Sequence, residues 1–330
     1  MNIAINGFGR IGRTVFRIAT DRGLHVVAIN DVHGVADTVY LLQHDSIYGA
    51  YDKPIVGRRG HFLINGKQVQ VLSELDPAKL PWKKLSVDVV VESTGVFRER
   101  SGASKHLSAG AKKVVITAPA PQSDILIVPG VNQEKLKKDQ GIISVASCTT
   151  NCLAPTLKVL DDKFGVERAF ITTVHAYTND QSLHDEYHKK RRRGRAAAHN
   201  IVPTSSGAIE VTGETIPHLK GKIHGIAVRV PVICGSLLDV VAVLKKQTDT
   251  NTINRTFKKA SEYELKGIVE YREDELVSSD IIKNPHSAVF DSSLTETSGH
   301  LAKVFAWYDN EYGYSCRVVD VLQMIQKSVR

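Results

Sequence analysis

The sequence has little of what marks a secreted or membrane protein. Four cysteines in 330 residues are too few and too irregularly spaced for a disulfide framework. No apolar run approaches the roughly 20 residues that span a membrane, and no basic-then-apolar signal segment follows Met1. We therefore expect a chain of a reducing compartment, the cytoplasm.

Composition narrows the class of protein only modestly. Hydrophobic residues make up 42% and charged residues 24% of the chain, which is ordinary for a globular protein, and the length suggests two domains. The formal net charge is +8 and the pI is about 9.2. Such a charge favours anionic partners, and both nucleic acid and phosphorylated metabolites fit it.

The first half of the chain alternates short apolar runs with helical spacing. Continuous apolar runs are typical of buried parallel strands, and strands that alternate with helices predict βαβ units. The runs are residues 3–5, 25–29, 87–91 and 114–117, with helical spacing over 10–21.

The second half has longer strand-like runs, at residues 170–174, 225–232 and 237–244. They predict an α+β domain with a larger and mostly antiparallel sheet. A final helix over 314–329 would place Val318, Val319, Leu322 and Ile325 on one face. The seam between the two halves is expected near Ser147.

A glycine-rich element, GFGRIG at residues 7–12, follows the first strand and opens the first helix. In that context Gly7 permits a tight turn, Gly9 lets the backbone approach a pyrophosphate, and Gly12 lets helix and strand pack closely. Asp31 ends the second strand, where a carboxylate can bind a ribose 2′-hydroxyl and repel a 2′-phosphate. The pattern predicts a site for NAD in preference to NADP.

A candidate nucleophile lies in the middle of the chain. Cys148 follows an apolar run and precedes helical spacing, so we expect it at a helix start, where the helix dipole lowers a thiol pKa. Cys152, one turn further on, is expected to be buried. A buried core cysteine is the ordinary alternative. The isolated positions of Cys234 and Cys316 argue against a zinc site.

A candidate base is His175, at the end of the run 170–174. A histidine at a strand end is well placed to face a cleft. A cysteine and a histidine together form a possible nucleophile–base pair, although the residues alone leave this pairing only suggestive.

Over its whole length the sequence resembles the phosphorylating glyceraldehyde-3-phosphate dehydrogenases. Several motifs in one order carry this resemblance. They are INGFGRIGR at 5–13, ASCTTNCLAP at 146–155, VHAYTNDQ at 174–181, PTSSG at 203–207, RVP at 229–231 and WYDNEYGY at 307–314.

The resemblance implies an α/β fold with a Rossmann-like NAD-binding domain, residues 1–147 with a returning helix at 311–330, and an α+β catalytic domain, residues 148–310. It implies oxidation of glyceraldehyde 3-phosphate with NAD and inorganic phosphate in glycolysis and gluconeogenesis, by a homotetramer. Cys148 is then the nucleophile and His175 the base.

The resemblance also assigns binding residues. The expected cofactor site is formed by Gly7, Gly9, Arg10, Ile11, Gly12, Asp31, Thr94, Gly95, Thr117 and Asn310, the last holding the nicotinamide carboxamide. The substrate phosphate would meet Thr178, Arg193 and Arg229, and attacking inorganic phosphate would meet Ser147, Thr149, Ser206 and Gly207. Hydroxyls, backbone N–H groups and Arg forks suit phosphate oxygens.

Three departures from the family pattern bear on specificity. Leu75 stands where an Arg commonly contacts the adenine side of the cofactor, so one cofactor contact is expected to be lost. The sequence EYH at 186–188 replaces a Leu-Pro-His pattern that helps to reject NADP across a subunit contact, which is compatible with some NADP use. The segment 232–236, VICGS, departs beside the substrate-phosphate pocket. Two further features, Tyr187-His188 and the NPHSA segment at 284–288, resemble the sister erythrose-4-phosphate dehydrogenases, but the retained Thr178 and Ser206-Gly207 favour the triose.

The run HKKRRRGR at 188–195 is intensely basic. Alone it is typical of a nucleic-acid patch or an import signal. The resemblance places it in a long loop near the cofactor site and subunit contacts, and it contains no interleaved aromatic residue for base stacking. We therefore expect a solvated or interface loop, and nucleic-acid binding stays the less favoured alternative.

Overall fold

The computed structural model describes residues 1–329. The chain forms two compact units. The first contains Met1–Ile127, Gln133–Ala146 and the chain from Ser315 onward, and the second contains Val128–Asn132 and Ser147–Tyr314. Residue 330, the last of the predicted C-terminal segment, lies outside the described residues.

The first unit is built on a nine-stranded sheet in the order β3-β4-β5-β2-β1-β6-β7-β9-β8. From β5 to β8 all neighbours are parallel, while β3, β4 and β5 pair antiparallel. The strands are β1 Asn2–Asn6, β2 His25–Asn30, β3 Ile55–Arg58, β4 His61–Ile64, β5 Lys67–Leu72, β6 Val89–Glu92, β7 Lys113–Ile116, β8 Ile125–Leu126 and β9 Ile142–Ser144; the helices are α1 Arg10–Asp21, α2 Val35–Gln43 and α3 Arg100–Ser108.

The four predicted strands of the first unit are β1, β2, β6 and β7, and the predicted helix is α1. Ile3, Ala4 and Ile5 are fully buried, as expected for a parallel strand covered on both faces. Strands β3 to β5 were not predicted. Turns at Gly60 and Gly66, with φ of +77° and +73°, allow this antiparallel meander to return on itself.

The second unit is built on a seven-stranded sheet in the order β11-β12-β10-β13-β16-β15-β14. Four of its six pairings are antiparallel, and only β10 with β12 and β14 with β15 are parallel. The strands are β10 Val166–Ala176, β11 Val202–Thr204, β12 Ile223–Val230, β13 Ser236–Leu244, β14 Val269–Arg272, β15 Ala288–Ser298 and β16 Leu301–Tyr308; the helices are α4 Cys148–Phe164, α5 Ala208–Thr215 and α6 Thr250–Glu262.

The α/β fold class with a mostly antiparallel second sheet is confirmed. Along β13 the burial alternates strictly, because one sheet face packs on α4 and the pleat turns every second side chain the other way. The predicted strand 225–232 is displaced, since β12 ends at Val230. Pro231 follows and has no N–H to continue the ladder.

The last helix, α7, runs over Tyr312–Val329. The four residues predicted to share a face, Val318, Val319, Leu322 and Ile325, are each at most 1% exposed. Among residues 1–329, no helix combines the length and apolar character needed to cross a membrane.

Glu270 on β14 is held by three neighbours. Its Oε2 lies 3.3 Å from His286 Nδ1 and accepts Asn284 Nδ2–H at 2.5 Å, and its Oε1 accepts Arg272 Nη1–H at 3.2 Å. These contacts, the one from His286 foremost, lower the pKa of Glu270 to about 2. The NPHSA segment at 284–288 is therefore bound to β14, the edge strand of the second sheet, through the Glu270 carboxylate.

We expect Glu270→Gln to lower the free energy of unfolding at pH 7 by about 2 kcal/mol. Because the folded pKa lies below the unfolded value, this contribution is present above about pH 4.5 and is lost as the pH falls towards 2. Denaturant unfolding at pH 7 and pH 3 measures it. The neighbouring exposed Glu273→Gln is the control and should change little; an equal loss at both pH values would contradict the assignment.

Candidate active site

The glycine turn between β1 and α1 has the form that the sequence predicts. Gly7 has φ +88°, and a Cβ there would lie 2.6 Å from Thr94 N. A Cβ on Gly12 would overlap Gly7 O, whereas one on Gly9 would meet nothing within 4 Å. Gly7 and Gly12 thus close the turn, and Gly9 leaves open space where backbone can approach a phosphate.

Asp31 supports this turn from the end of β2. Its Oδ2 accepts Phe8 N–H at 2.6 Å, and its Oδ1 lies 2.7 Å from His33 Nδ1. Burial raises the pKa of Asp31, but the hydrogen bonds from Phe8 and His33 outweigh burial and hold the pKa below its usual value. The carboxylate is therefore charged at neutral pH.

A cavity of about 420 Å³ opens at this edge of the sheet and is lined by Gly7, Gly9, Asp31, Leu75 and Thr94, among others. It lies at the carboxyl ends of parallel strands, where α/β sheets bind dinucleotides. Leu75, the departure from the family pattern, is 75% exposed beside it. The cavity, the open glycine turn and the acidic strand end fit an adenine dinucleotide.

The other predicted cofactor residues of the first unit lie on its loops and on α1. Arg10 and Ile11 begin α1, and Arg10 Nη1 bonds Asp45 Oδ2 at 2.6 Å. Gly95 has φ +75° with nothing within 4 Å of a Cβ, and Thr117 donates its hydroxyl to Glu92 O at 3.1 Å. The Arg10 side chain is thus already paired with the Asp45 carboxylate, whereas the open space beside Gly95 leaves room for a ligand.

Asn310 belongs to the second unit. Its Oδ1 accepts Gly235 N–H at 3.2 Å and the Ser236 hydroxyl at 3.1 Å. These two donors fix the orientation of the amide, so its Nδ2 is the group left to donate. Ser236 was not predicted as a site residue.

Cys148 is the first residue of α4, as predicted. Ser147 caps the helix by accepting Thr150 N–H on its Oγ at 3.1 Å, a preferred N-cap arrangement. Cys148 is half-buried, whereas Cys152 is fully buried, also as predicted. The thiol that is accessible is thus the one at the helix N-terminus.

His175 lies near the end of β10 and faces this thiol. Its Nε2 is 3.5 Å from Cys148 Sγ, and its Nδ1 is 2.6 Å from Ala176 O. Arg229 Nη1 also lies 3.2 Å from Nδ1, but the much shorter contact is with a carbonyl, which only accepts, so Nδ1 carries the proton and Nε2 has the free lone pair. The imidazole is therefore oriented as a base toward the sulfur.

Burial dominates the protonation of both groups. It lowers the pKa of His175 to about 3, and the Arg229 guanidinium adds to this, so the imidazole is neutral and can accept a proton. Burial also raises the pKa of Cys148, while Arg229 and the Thr149 contacts act in the opposite direction. The lower thiol pKa expected from the helix start alone is therefore wrong for this structure.

The pairing of two strands places the guanidinium of Arg229 beside Cys148 and His175. β10 and β12 align His175 with Arg229. Arg229 Nη1 donates to Ala176 O at 3.0 Å and to Thr178 Oγ1 at 3.2 Å, and its buried Nε has no partner in residues 1–329. Arg229 and Thr178 thus lie together beside the base, with a buried donor left for an anion.

The third predicted residue of this pocket is held elsewhere. Arg193 is paired with Asp180, and it donates to Thr204 Oγ1 and Ser205 O, each at 3.0 Å. These contacts use three of the five N–H donors of the guanidinium, so a phosphate would have to bind the remaining two. Asp180 was not predicted, although it lies within the quoted motif VHAYTNDQ.

Residues predicted for the second phosphate lie at two helix starts. Ser147 and Thr149 begin α4. Ser206 Oγ accepts Ala208 N–H at 3.3 Å, and Gly207 is the N-cap of α5, which packs against α4.

Tyr308 is a buried member of the site that sequence reasoning missed. Its hydroxyl lies 2.9 Å from Thr149 Oγ1 and 2.8 Å from Thr173 Oγ1, and its ring packs edge-on against His175. Burial raises its pKa, so it remains a phenol. Its presence in the motif WYDNEYGY was the only available signal.

The departure segment 232–236 has its own backbone shape. Gly235 has φ +89°, and a Cβ there would overlap Ser278 O. Cys234 is buried and donates its thiol to Asp309 Oδ1 at 3.3 Å. The segment therefore contacts the residue beside Asn310 as well as Asn310 itself.

A parallel sheet with an open glycine turn and an acidic strand end, together with a thiol beside a neutral imidazole, defines an NAD-dependent oxidoreductase. Residues 1–100 match the sequence model of the glyceraldehyde 3-phosphate dehydrogenase NAD binding domain, and residues 147–310 match that of the C-terminal domain. The chain belongs to the glyceraldehyde 3-phosphate dehydrogenase family.

Its relatives match it almost from end to end. Glyceraldehyde-3-phosphate dehydrogenase 2 of Bacillus subtilis is 48% identical over 328 residues, covering 98% of this chain and 96% of the relative. The glyceraldehyde-3-phosphate dehydrogenase of Borreliella burgdorferi is 49% identical over 335 residues, 99% of this chain and 100% of the relative. That of Mycobacterium avium is 50% identical over 338 residues, 100% of this chain and 99% of the relative.

Asp31→Asn should shift the NAD:NADP ratio of kcat/KM toward NADP by roughly tenfold, because it removes a charge that repels a 2′-phosphate at contact distance. The amide oxygen can still accept Phe8 N–H, so the turn should persist. Steady-state assays with both cofactors measure the ratio. Asp37→Asn, an exposed charge on α2, is the control; an unchanged ratio in Asp31→Asn would contradict the role of Asp31.

Proposed function

We propose that this chain oxidises glyceraldehyde 3-phosphate, with NAD and inorganic phosphate, to 1,3-bisphosphoglycerate. The observation that carries the proposal is the 3.5 Å approach of His175 Nε2 to Cys148 Sγ, with the Nδ1 proton held by Ala176 O. The names of the relatives support the triose substrate.

The first step is attack of Cys148 sulfur on the aldehyde carbon. The thiol proton passes to His175 Nε2, whose lone pair faces it, and the Arg229 guanidinium stabilises the developing thiolate. The carbonyl oxygen then takes this proton from His175 Nε2, so that the product is a neutral hemithioacetal and the imidazole is free again to act as a base. Covalent attachment divides the reaction into two linked halves.

The second step is oxidation. NAD, when bound, supplies the hydride acceptor. His175 Nε2 takes the proton of the hemithioacetal hydroxyl as the carbon loses its hydride, and the carbon becomes a thioester on Cys148. Proton removal by a positioned base of this kind typically contributes a factor of about 10²–10⁴ to the rate.

The last step uses inorganic phosphate as the nucleophile. A phosphate oxygen attacks the thioester carbon, the carbon–sulfur bond breaks, and Cys148 leaves as thiolate with release of the acyl phosphate. In this proposal Thr178, Arg193 and Arg229 hold the substrate's own phosphate. Ser147, Thr149, Ser206 and Gly207 hold the attacking phosphate with hydroxyls and helix N-termini.

A steady-state assay with both sugar phosphates and both cofactors tests the substrate. We expect kcat/KM for the triose to exceed that for erythrose 4-phosphate, and sustained turnover to require phosphate or arsenate. A preference for erythrose 4-phosphate would assign the chain to the sister activity. Salt-sensitive retention on nucleic acid at physiological ionic strength would instead support the basic run 188–195 as a nucleic-acid site.

We propose further that the chain is a cytoplasmic homotetramer. All four cysteines are free, which suits a reducing compartment, and the assembly is the one that the family resemblance implies. Light scattering of the purified protein tests the oligomeric state.

A further inference from the structure

A buried polar network lies in the core of the first unit. His106 on α3 is 0% exposed, Glu92 at the end of β6 is 2% exposed, and Trp82 is 0% exposed. Buried ionisable groups are costly unless their hydrogen bonds are complete. None of these three residues has a part in the proposed mechanism.

Every contact of the Glu92 carboxylate is with a donor. Its Oε2 accepts Asn6 Nδ2–H at 2.6 Å and lies 3.1 Å from His106 Nε2. Its Oε1 accepts Thr94 N–H at 2.8 Å and the Thr94 hydroxyl. The carboxylate therefore serves only as an acceptor, and it fixes the backbone at Thr94.

The His106 side of the network has one possible direction. Trp82 Nε1 lies 3.0 Å from His106 Nδ1, and an indole N–H can only donate. Nδ1 must accept, so Nε2 carries the proton and donates it to Glu92. The tautomer is thus set by the indole.

The asparagine side is fixed in the same way. Asn30 binds the backbone of Glu74, accepting its N–H and donating to its C=O, each at 2.9 Å. Asn30 Nδ2 then donates to Asn6 Oδ1 at 2.7 Å, which leaves Asn6 Nδ2 to donate to Glu92. Asn6 Nδ2 also lies 3.4 Å from His106 Nε2, because both nitrogens donate to the same carboxylate oxygen. The Trp82 indole fixes one end of the network and the Glu74 backbone fixes the other. Between these ends, the side chains of His106 and Asn6 both donate toward the Glu92 carboxylate.

Three members of this network, Asn6, Asn30 and Thr94, line the cavity of the first unit. Thr94 also packs against the glycine turn, where a Cβ on Gly7 would meet its backbone, and its hydroxyl oxygen accepts Val96 N–H at 3.0 Å. The network therefore ends in the cavity wall.

We propose that Glu92 and His106 are positioning residues for dinucleotide binding, which fix the Thr94 segment through this one-directional network. The proposal rests on the proposed function for the identity of the ligand as NAD. It adds a role for buried residues that touch no reacting atom.

Glu92→Gln is a nearly isosteric test. Wherever its amide nitrogen points, an N–H faces another N–H, because all partners of Glu92 are donors. His106 cannot change tautomer to accept, since Trp82 occupies its Nδ1. We expect the Kd for NAD, measured by calorimetry, to rise roughly tenfold, with kcat at saturating NAD unchanged within about twofold.

A packing control separates positioning from general destabilisation. Ile142→Ala removes apolar volume from a different core cluster of the first unit, which contains no member of the network. At a comparable loss of melting temperature it should leave the Kd for NAD within about twofold. An equal loss of NAD affinity in both variants would overturn the proposal.

Amide hydrogen exchange of the protein without NAD gives a readout that needs no activity. The Thr94 amide should exchange faster in Glu92→Gln than in the parent chain, and at the parent rate in Ile142→Ala. If Glu92→Gln does not fold, His106→Gln and His106→Leu replace it. The glutamine amide can donate to Glu92 and accept from Trp82, so His106→Gln should keep most of the NAD affinity. The leucine side chain can do neither, so His106→Leu should lose it.

The outcomes separate the two proposals. A parent chain that does not bind NAD contradicts the proposed function. A parent chain that binds NAD, with unchanged affinity in Glu92→Gln and equal affinity in the two His106 variants, contradicts only the positioning role.

Discussion

Cys148→Ser is expected to lower kcat for triose phosphate oxidation by about 10⁴-fold or more, a typical cost of removing a covalent nucleophile. A serine hydroxyl is far less acidic than a thiol, and the neutral imidazole of His175 is too weak a base to ionise it. Steady-state production of NADH measures the loss. NAD affinity should be retained, because the cofactor residues on the glycine turn are untouched.

Cys152→Ser is the matched control for this prediction. Cys152 lies one helical turn from Cys148 and is fully buried. Its thiol lies 4.0 Å from Ala306 O, too far for a serine hydroxyl to bond, so the substitution changes the core and not the reacting sulfur. Its kcat should stay within about twofold of the parent chain. Comparable activity in the Cys148 and Cys152 variants would contradict the assignment of the nucleophile.

His175→Asn should lower kcat by about 10²–10⁴-fold, the usual contribution of a general base. Asparagine is the informative replacement because its Nδ2–H can take the place of Nδ1–H toward Ala176 O, while nothing replaces Nε2. The remaining rate should rise with pH, as solvent hydroxide takes over the proton transfer.

Two measurements accompany His175→Asn. Alkylation of Cys148 by iodoacetamide should still proceed, although more slowly than in the parent chain, and binding of NAD should be unchanged. A variant that keeps most of the parent kcat would show that another group removes the hydroxyl proton.

Local sequence predicted those parts of the fold whose signal is local. The continuous apolar runs of β1, β2, β6 and β7 and the spacing in α1 and α7 reflect burial along a single segment. The meander β3 to β5 gave no such run, because its strands are only four to six residues long and contain glycine or polar residues. Strand β12 ends at Val230, before the end of the apolar run, because Pro231 has no N–H to donate to the neighbouring strand.

The site divides in the same way. Cys148 at a helix start and Asp31 at a strand end could be predicted from neighbouring residues. Tyr308 could not, because its contacts with Thr149 and Thr173 depend on how β16 lies in the sheet. The pKa of Cys148 also escaped prediction, since burial is a property of the folded chain and here outweighs the helix start.

The most direct test of the account is a rapid-mixing experiment with NAD and glyceraldehyde 3-phosphate in the absence of inorganic phosphate. The account predicts a burst of NADH no larger than the number of active chains, followed by arrest with an acyl group on Cys148 that intact-mass measurement detects. Addition of phosphate should then restore continuous turnover. Continuous turnover without phosphate or arsenate, or a burst with no mass added at Cys148, would contradict the thioester mechanism.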